Sequence, residues 1–248
     1  MRSLKFHKGR LSLPSKSEAI TLHLAASSAD GGWHELPLSS EDTDRYSFDA
    51  HGVKGSLGWT EGTKERSDYE LAFTSDEPVR LRLEFSWSGE AQGFHLIPAC
   101  IFGDNNHELV RPNEFPTLHE RVEGNEAAAP LWEFRADRAA CPVSMLCTTD
   151  GVVGLSIDPY SDDANAPDGY IRNGLFSRLP NAGGVSLGYG NDPFTYVNKI
   201  MFREPTAHRS VSAKATGSLY WMPGADRLGA HQIVRDLYSR LHETPQHK

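Results

Sequence analysis

Apolar and polar residues alternate without interruption along Val79-Arg80-Leu81-Arg82-Leu83-Glu84-Phe85-Ser86-Trp87-Ser88. Because successive side chains of a β-strand point to opposite faces, this run predicts a strand with one buried face and one face in water. Tyr69, Leu71 and Phe73 alternate with Asp68 and Glu70 just before it. The connecting residues 75–78 are Ser-Asp-Glu-Pro, which favour a turn. The two runs together predict an antiparallel hairpin.

The same two-residue period recurs along the rest of the chain. It is present in residues 20–24, 143–147, 152–157, 185–189 and 210–220. Parallel sheets need crossover helices between their strands, and no helical pattern separates these runs. The sequence therefore predicts an all-β fold, a large antiparallel sandwich of two sheets.

Residues 94–102 form a nearly continuous apolar run that only His95, Pro98 and Cys100 interrupt. Such a run predicts a strand covered on both faces, as in the inner sheet of a large sandwich. The segments 104–129 and 159–183 are rich in Asn, Asp, Pro and Gly and are longer than ordinary hairpin connections. Long loops on a rigid scaffold commonly display binding groups.

One helical pattern closes the sequence. Ile233, Val234, Leu237, Tyr238 and Leu241 share one helical stripe, and Thr244-Pro245 follows. We assign residues 1–222 to the sandwich and residues 223–248 to this helix. Two interpretations remain open: the helix packs back on the sandwich, or it is a linker into a further domain.

Composition excludes several functional classes. The chain has 248 residues, 38% of them hydrophobic, and a formal net charge of -8. An acidic surface repels phosphate backbones and acidic membranes, so neither nucleic acid nor membrane is an expected partner. Three cysteines, an odd number without a CxxC spacing, do not make a disulfide framework, so we expect a reducing compartment. The N-terminus lacks the apolar region of a signal peptide, so we expect a cytoplasmic protein.

Gly184-Val185-Ser186-Leu187-Gly188 matches the GxSxG pattern of a serine hydrolase, and Asp192 and His208 follow it. That pattern places a nucleophile only where a strand turns sharply into a helix. The residues that follow have turn chemistry rather than helix-forming chemistry. The alternative is a strand whose glycines allow another backbone to approach closely.

Trp132-Glu133-Phe134-Arg135-Ala136-Asp137-Arg138 is the densest polar and aromatic stretch. If it is extended, Glu133, Arg135 and Asp137 share one face, which makes a structural ladder of ion pairs. The alternative is that Arg135 or Arg138 contacts a ligand carboxylate or a sugar hydroxyl.

Acidic residues also follow two strands directly. Asp104-Asn105 comes after the run that ends at residue 102, and Asp158 comes after residues 152–157. Carboxylates at strand ends can form an acid/base pair or bind calcium, and Asp and Asn in turns also bond their own backbone. Aromatic rings near loops can stack on the apolar face of a sugar. The candidate carbohydrate-binding residues are Asp104, Asn105, Trp132, Arg135, Asp137, Arg138, Asp158, Tyr160, Tyr189, Asp192 and Phe194.

Neither a zinc-binding pattern nor a dinucleotide or phosphate fingerprint is present, so the sequence predicts no metal and no cofactor. Catalytic residues are not assigned from these patterns.

Three segments carry a family resemblance: Phe94-His95-Leu96-Ile97-Pro98-Ala99-Cys100-Ile101-Phe102-Gly103-Asp104-Asn105, residues 132–138, and Gly174-Leu175-Phe176. With them the chain resembles the N-terminal β-supersandwich (galactose-mutarotase-like) domain that precedes the (α/α)6 barrel of six-hairpin glycosidase-like proteins. In that family the catalytic acids generally lie in the barrel, and the sandwich contributes one wall of the cleft. The resemblance implies that the terminal helix enters such a barrel, and that this chain alone does not hydrolyse glycosides.

Three functional hypotheses follow. The first is a non-catalytic, carbohydrate-associated domain of a glycoside hydrolase-like protein, whose partners are a carbohydrate and a C-terminal helical barrel. The second is a self-sufficient sugar-active enzyme, either mutarotase-like, a hydrolase or a lyase, in which Asp104, Asp158 and a histidine such as His95 perform acid/base chemistry. The third is an assembly domain that docks a homo-oligomer partner through its terminal helix.

Overall fold

A computed structural model of the chain describes residues 5–7, 9–13, 20–27, 33–77, 79–89, 93–103, 131–136, 139–159, 161, 173–178, 180–188 and 211–243. These residues contain seventeen strands, arranged in two sheets, and one helix. The eight-stranded sheet contains β1 (Lys5–His7), β2 (Arg10–Ser12), β3 (Ile20–Ser27), β4 (Trp33–Leu36), β9 (Arg80–Trp87), β12 (Leu131–Arg135), β15 (Gly174–Arg178) and β16 (Ala182–Gly188).

The nine-stranded sheet contains β5 (Ser39–Asp42), β6 (Arg45–Ala50), β7 (Val53–Thr63), β8 (Arg66–Ser75), β10 (Phe94–Ile97), β11 (Ile101–Phe102), β13 (Val143–Thr148), β14 (Gly151–Ile157) and β17 (Val211–Pro223). The strand order is β1-β2-β3-β9-β16-β15-β12 in the first sheet, with β4 also paired to β3. It is β11-β10-β13-β14-β17-β8-β7-β6-β5 in the second. Every described pairing is antiparallel, and the predicted all-β, two-sheet architecture is confirmed.

The two sheets pack face to face, and the core lies between them. Strand β16 of the first sheet lies against β13 and β14 of the second. Leu81, Leu83 and Phe85 of β9 are fully buried in this core, as are Leu155 of β14 and Leu71 of β8. The apolar sides of the alternating runs are therefore the inner faces of the sandwich, as the sequence period predicts.

The predicted hairpin between β8 and β9 is wrong. Strand β8 pairs with β7 and β17, whereas β9 pairs with β3 and β16 in the other sheet. The connection that begins after Ser75 carries the chain from one layer of the sandwich to the other. Two strands can bury their apolar faces equally well as a hairpin in one sheet or as strands of opposite sheets that face each other across the core. The local pattern therefore does not distinguish the two arrangements.

Residues 94–102 are not a strand of an inner sheet. They form the short strands β10 and β11 around a turn at Pro98-Ala99-Cys100, and β11 lies at the edge of the nine-stranded sheet. Phe102 is 69% exposed, and Ala99 adopts a left-handed φ of 69°. Proline lacks the N–H group that a central strand needs, so its position at a sheet edge is the expected one.

Helix α1 (Arg227–Glu243) packs on the outer face of the nine-stranded sheet, over β13 and β14. Asp226 caps it, because its Oδ1 accepts a hydrogen bond of 2.8 Å from the backbone N–H of Leu228. Ala230, Ile233 and Leu237 are buried. They form a second apolar cluster with Val143, Met145, Cys147, Val152 and Tyr220 of the sheet. The stripe predicted from Ile233 and Leu237 therefore packs back on the sandwich.

Tyr238 and Leu241, which the sequence places on the same stripe, are exposed. Tyr238 directly follows the buried Leu237, and Leu241 lies about one turn after it. Both residues are therefore at the margin of the buried stripe.

Candidate functional site

The outer face of β9, the central strand of the eight-stranded sheet, carries buried charges. Arg80, Arg82 and Glu84 point away from the core, yet they are only 3%, 5% and 4% exposed. The predicted water-exposed face of residues 79–88 is therefore wrong for these three side chains. Buried charges require partners, and such positions are enriched in functional sites.

Neighbouring strands bring further polar groups to the same face. The register pairs His23 of β3 with Glu84, and it pairs Ser186 of β16 with Arg82. Arg178 of β15 also reaches Glu84. We call this set the polar band; it consists of His23, Arg80, Arg82, Glu84, Arg178 and Ser186.

Glu84 lies at the centre of the polar band. An Nη2–H of Arg178 contacts Oε1 of Glu84 in a salt bridge. His23 Nε2 lies 3.6 Å from the same oxygen. Burial, opposed by the charge of Glu35 and assisted by those of Arg10 and Arg178, lowers the pKa of His23 to about 4. His23 is therefore neutral at neutral pH, so its contact with Glu84 is polar rather than an ion pair.

Arg82 is held between aromatic rings. Its guanidinium carbon lies 3.7 Å from the ring centroid of Trp33 and 5.0 Å from that of Phe176. A desolvated cation over a ring face gains electrostatic attraction from the ring quadrupole. These contacts help to stabilise the guanidinium on the outer face of the sheet.

Arg80 is held by the GxSxG segment. Its Nη2 donates a hydrogen bond of 3.0 Å to Oγ of Ser186. Ser186 lies inside strand β16, which continues to Gly188, so the strand-to-helix turn of a serine hydrolase is absent at this residue. A Cβ at Gly184 would overlap the carbonyl oxygen of Leu83 in the neighbouring strand. The alternative interpretation, glycines that permit a close backbone approach, is confirmed at Gly184, and the serine-hydrolase interpretation is wrong.

The polar band reaches solvent at its sides. The side chain of Arg178 is 44% exposed, although its Glu84 partner is buried. On the other side, Nε of Arg10 donates a hydrogen bond of 2.6 Å to Oε1 of Glu35, and Nη2 of Arg10 contacts Oε2. This paired geometry lowers the pKa of Glu35, mainly through the hydrogen bond. A ligand could therefore approach the buried charges from the exposed guanidinium of Arg178.

A groove of about 390 Å³ lies on the opposite side of the molecule, between α1 and the outer face of the nine-stranded sheet. Asp68, Glu70, Asp158, Ser218 and Arg240 are among its lining residues. Asp158 is exposed and follows the last residue of β14. Among the predicted carbohydrate-binding residues, Asp158 is the one whose side chain the structure describes.

Charged groups in and beside this groove connect the helix to the sheet. Asp236 of α1 accepts a hydrogen bond of 2.9 Å from the hydroxyl of Tyr220 and one of 3.3 Å from Nη1 of Arg66. Arg240 Nη1 lies 3.5 Å from Oδ1 of Asp68. Two cations thus face two carboxylates between sheet and helix. This balance favours a structural role for Arg240 over ligand binding.

Most of the predicted site residues lie outside the described part of the chain. These are Asp104, Asn105, Asp137, Arg138, Tyr160, Tyr189, Asp192 and Phe194. Trp132 and Arg135 lie in β12, so the stretch is extended as far as Arg135, but their side chains are not described. The register places Glu133 beside Phe176 and Arg135 beside Gly174, next to the polar band.

His95 does not support an acid/base role. It is fully buried between the sheets, where its Nε2 lies 2.8 Å from the carbonyl oxygen of Pro180 and its Nδ1 contacts Oγ of Ser177. Both ring nitrogens therefore contact groups that connect β10 to the eight-stranded sheet. A structural role replaces the predicted catalytic one.

Sequence reasoning missed the residues of the polar band as site candidates. Two features pointed to them: two arginines and a glutamate at alternate positions of a strand with an apolar opposite face, and a glycine-rich strand, residues 182–188. The alternation was visible, but solvent exposure of the polar face was assumed. His23 and Arg178 are brought to Glu84 only by the strand order.

No family model matches the chain, and no curated protein gives a significant match. Within the described residues, the helix is neither long enough nor apolar enough to cross a membrane. The same part of the chain holds no group of three or more His, Cys, Asp or Glu side chains arranged to bind a metal ion. Cys100, Cys141 and Cys147 take part in no disulfide bond, and burial raises the pKa of each thiol to about 11.

Proposed function

We propose that this chain is a carbohydrate-binding β-sandwich domain of a glycoside hydrolase-like protein, and that the polar band on the eight-stranded sheet is its sugar-contacting surface. In this proposal the domain binds and orients the saccharide, and bond cleavage belongs to a helical barrel partner. The observation that carries the proposal is the set of buried charges around Glu84, held on a face directed away from the core.

The chemistry of the polar band suits a saccharide. A carboxylate accepts hydrogen bonds from hydroxyl groups, a guanidinium donates up to five, and a serine hydroxyl does both. Trp33 lies beside the guanidinium of Arg82, and an indole ring can stack on the apolar face of a pyranose. Small-ligand sites typically combine aromatic side chains with a small number of precisely placed polar groups.

The glycoside hydrolase context is supported by the resemblance of residues 94–105, 132–138 and 174–176 to the β-supersandwich domain of six-hairpin glycosidase-like proteins. Strand β15 begins at Gly174 and supplies Phe176 and Arg178 to the outer face of the sheet. The resembling segments therefore include part of the surface that we assign to sugar binding. Cysteines without disulfide bonds are compatible with a cytoplasmic location.

Titration calorimetry of the purified protein against a panel of oligosaccharides tests the proposal. The key variant is Glu84→Gln, which keeps the shape of the side chain but removes its charge. We expect it to raise the Kd of any bound saccharide at least about ten-fold, because a hydrogen bond to a charged group contributes about 1.5–3 kcal/mol. Glu70→Gln, on the exposed face of the other sheet, is the matched control and should leave binding unchanged.

Removal of Glu84 leaves Arg178 without its buried carboxylate, so circular dichroism must confirm that the variant is folded. Trp33→Leu provides an independent test, because it removes the stacking ring without changing the charge. Absence of saccharide binding by the wild-type protein, or equal affinities in all three variants, would refute the proposal.

One observation favours a second candidate, a sugar-active enzyme of the mutarotase-like class. A neutral histidine and a carboxylate, His23 and Glu84, lie 3.6 Å apart in the same band and form a possible acid/base pair. This pair would take the place of Asp104, Asp158 and His95. Polarimetry of freshly dissolved sugars is the test: catalysed anomerisation that His23→Asn abolishes would favour the enzyme, and no acceleration would eliminate it.

A further inference from the structure

The two buried histidines of the eight-stranded sheet and its neighbour, His23 and His95, use their ring nitrogens differently. Nε2 of His95 lies 2.8 Å from the carbonyl oxygen of Pro180, and its Nδ1 contacts Oγ of Ser177. Nε2 of His23 lies 3.6 Å from Oε1 of Glu84, but its Nδ1 is buried and has no hydrogen-bond partner among the described residues. A buried histidine with a purely structural role has both nitrogens occupied, as His95 does, so Nδ1 of His23 requires an explanation of its own.

The polar side chains nearest to His23 are already engaged with one another. Oγ1 of Thr21, on the same strand and the same face, shares a hydrogen bond of 2.9 Å with Oγ of Ser86. Nε of Arg10 donates a hydrogen bond to Oε1 of Glu35, and Nη2 of Arg10 contacts Oε2. Neither pair donates a hydrogen bond to Nδ1 of His23, although both lie beside it on the outer face of the sheet.

The nitrogen Nδ1 of His23 is an acceptor. The ring is neutral at neutral pH, because its pKa is lowered to about 4, mainly by burial. A neutral imidazole has one N–H donor and one acceptor nitrogen. The carboxylate oxygen of Glu84 near Nε2 favours the proton on Nε2, since a lone pair there would face negative charge. Glu133 shares this outer face, but β9, β16 and β15 separate it from β3, about 19 Å at ordinary strand spacing, so it does not decide the tautomer.

We propose that His23 determines the specificity of the polar band for its saccharide, because Nδ1 accepts a hydrogen bond from one hydroxyl group of the sugar. This inference rests on the proposed sugar-binding function and assigns a recognition role to one residue of that site. The side chain of His23 is 15% exposed, so a ligand on the outer face can reach its ring. A site built around a buried acceptor rejects an analogue without the matching hydroxyl, because the acceptor is then left unpaired.

The test is titration calorimetry of the full chain with maltose, cellobiose and mannobiose, each beside its set of monodeoxy derivatives. A monodeoxy derivative removes one hydroxyl and leaves the rest of the sugar unchanged. We expect the derivative that lacks the recognised hydroxyl to have a Kd about 5- to 100-fold higher than the parent sugar, because it leaves Nδ1 of His23 without a donor.

His23→Phe identifies the hydroxyl that Nδ1 accepts. This variant keeps a ring but removes both nitrogens, so it should bind the parent sugar and the matching derivative equally. His23→Asn should retain most of the discrimination, because the amide oxygen can replace Nδ1 as an acceptor. The matched control is His231→Phe on the exposed part of α1, which packs on the other sheet and should bind every saccharide as the wild-type protein does.

NMR of the histidine ring nitrogens gives a readout that does not depend on a substitution. In the wild-type protein, His23 should have a protonated Nε2 and an unprotonated Nδ1 at neutral pH. Addition of the bound saccharide should shift the Nδ1 signal, because its lone pair then accepts a hydrogen bond. A proton on Nδ1 would refute the assigned acceptor, whatever the variants show.

Two calorimetric results overturn the inference in distinguishable ways. If His23→Phe weakens the binding of a parent sugar and of all its derivatives by the same factor, His23 has only a structural role, and the proposed sugar-binding function remains. Failure of every saccharide to bind the wild-type protein refutes the proposed function, and the inference is refuted with it.

Discussion

Replacement of Ile233 by alanine tests whether α1 is an integral part of the fold. Ile233 is 1% exposed and packs in a cluster with Val143, Met145 and Val152 of the nine-stranded sheet. The change removes three carbon groups, and their transfer to water costs about 0.8 kcal/mol each, or about 2.4 kcal/mol in all. The cavity left in the cluster adds to this, so we expect a loss of about 3 kcal/mol in the free energy of unfolding.

Urea denaturation followed by circular dichroism measures this loss, and thermal denaturation should show a Tm lower by about 6–12 °C. Leu228→Ala is the control, because Leu228 lies on the same helix but is 66% exposed. Its effect should stay within about 0.5 kcal/mol. Both substitutions introduce the best helix former, so helix propensity cannot account for a difference between them. Equal stability of the two variants would show that the helix is undocked in solution.

Three further predictions concern the sheets and the polar band. Gly184→Ala should lower the free energy of unfolding by about 1–3 kcal/mol in urea denaturation, because its Cβ would overlap the Leu83 carbonyl oxygen. Gly58→Ala, which meets no atom within 4 Å, should not destabilise the protein. Thermal stability should fall as the pH decreases from about 6.5 toward 4, because unfolded His23 binds a proton that the folded protein excludes. The slope from this group is at most about 1.4 kcal/mol per pH unit and should disappear in His23→Asn. His95→Leu should destabilise the protein by about 1–3 kcal/mol, since Ser177 and the Pro180 carbonyl lose a buried partner, but calorimetry should show unchanged saccharide affinity.

Alternation along the chain was enough to predict the fold class and several of the strands. Strands β3, β13, β14 and β17 lie where the two-residue period places them. The period did not predict which strand pairs with which. Residues 66–75 and 80–87 follow each other closely but lie in different sheets, because their apolar faces meet the same core from opposite sides. Pairing depends on contacts between residues distant in sequence, and these leave no mark on the local pattern.

The candidate site was harder to predict for a related reason. Alternation shows which side chains share a face, but it does not show whether that face is in water. Arg80, Arg82 and Glu84 are what a solvated strand face would contain, and they are buried because a neighbouring serine, two aromatic rings and Arg178 provide partners. Those partners come from strands β4, β15 and β16, so the polar band exists only once the sheet is assembled.

Stability alone gives little reason to keep such a band. Desolvation of the charges on Arg82 and Glu84 offsets much of the attraction that they gain, and well-packed apolar residues in place of buried ion pairs are often equally stable or more stable. The inner face of the same strand shows that this chain can place Leu81, Leu83 and Phe85 where only packing matters. The outer face of this central strand instead carries buried charged side chains. The polar band that they form reaches solvent at Arg178 of β15. Natural sequences break the rules of packing mainly at functional sites, and this concentration of buried charges is the physical reason for our proposal that the polar band binds a ligand.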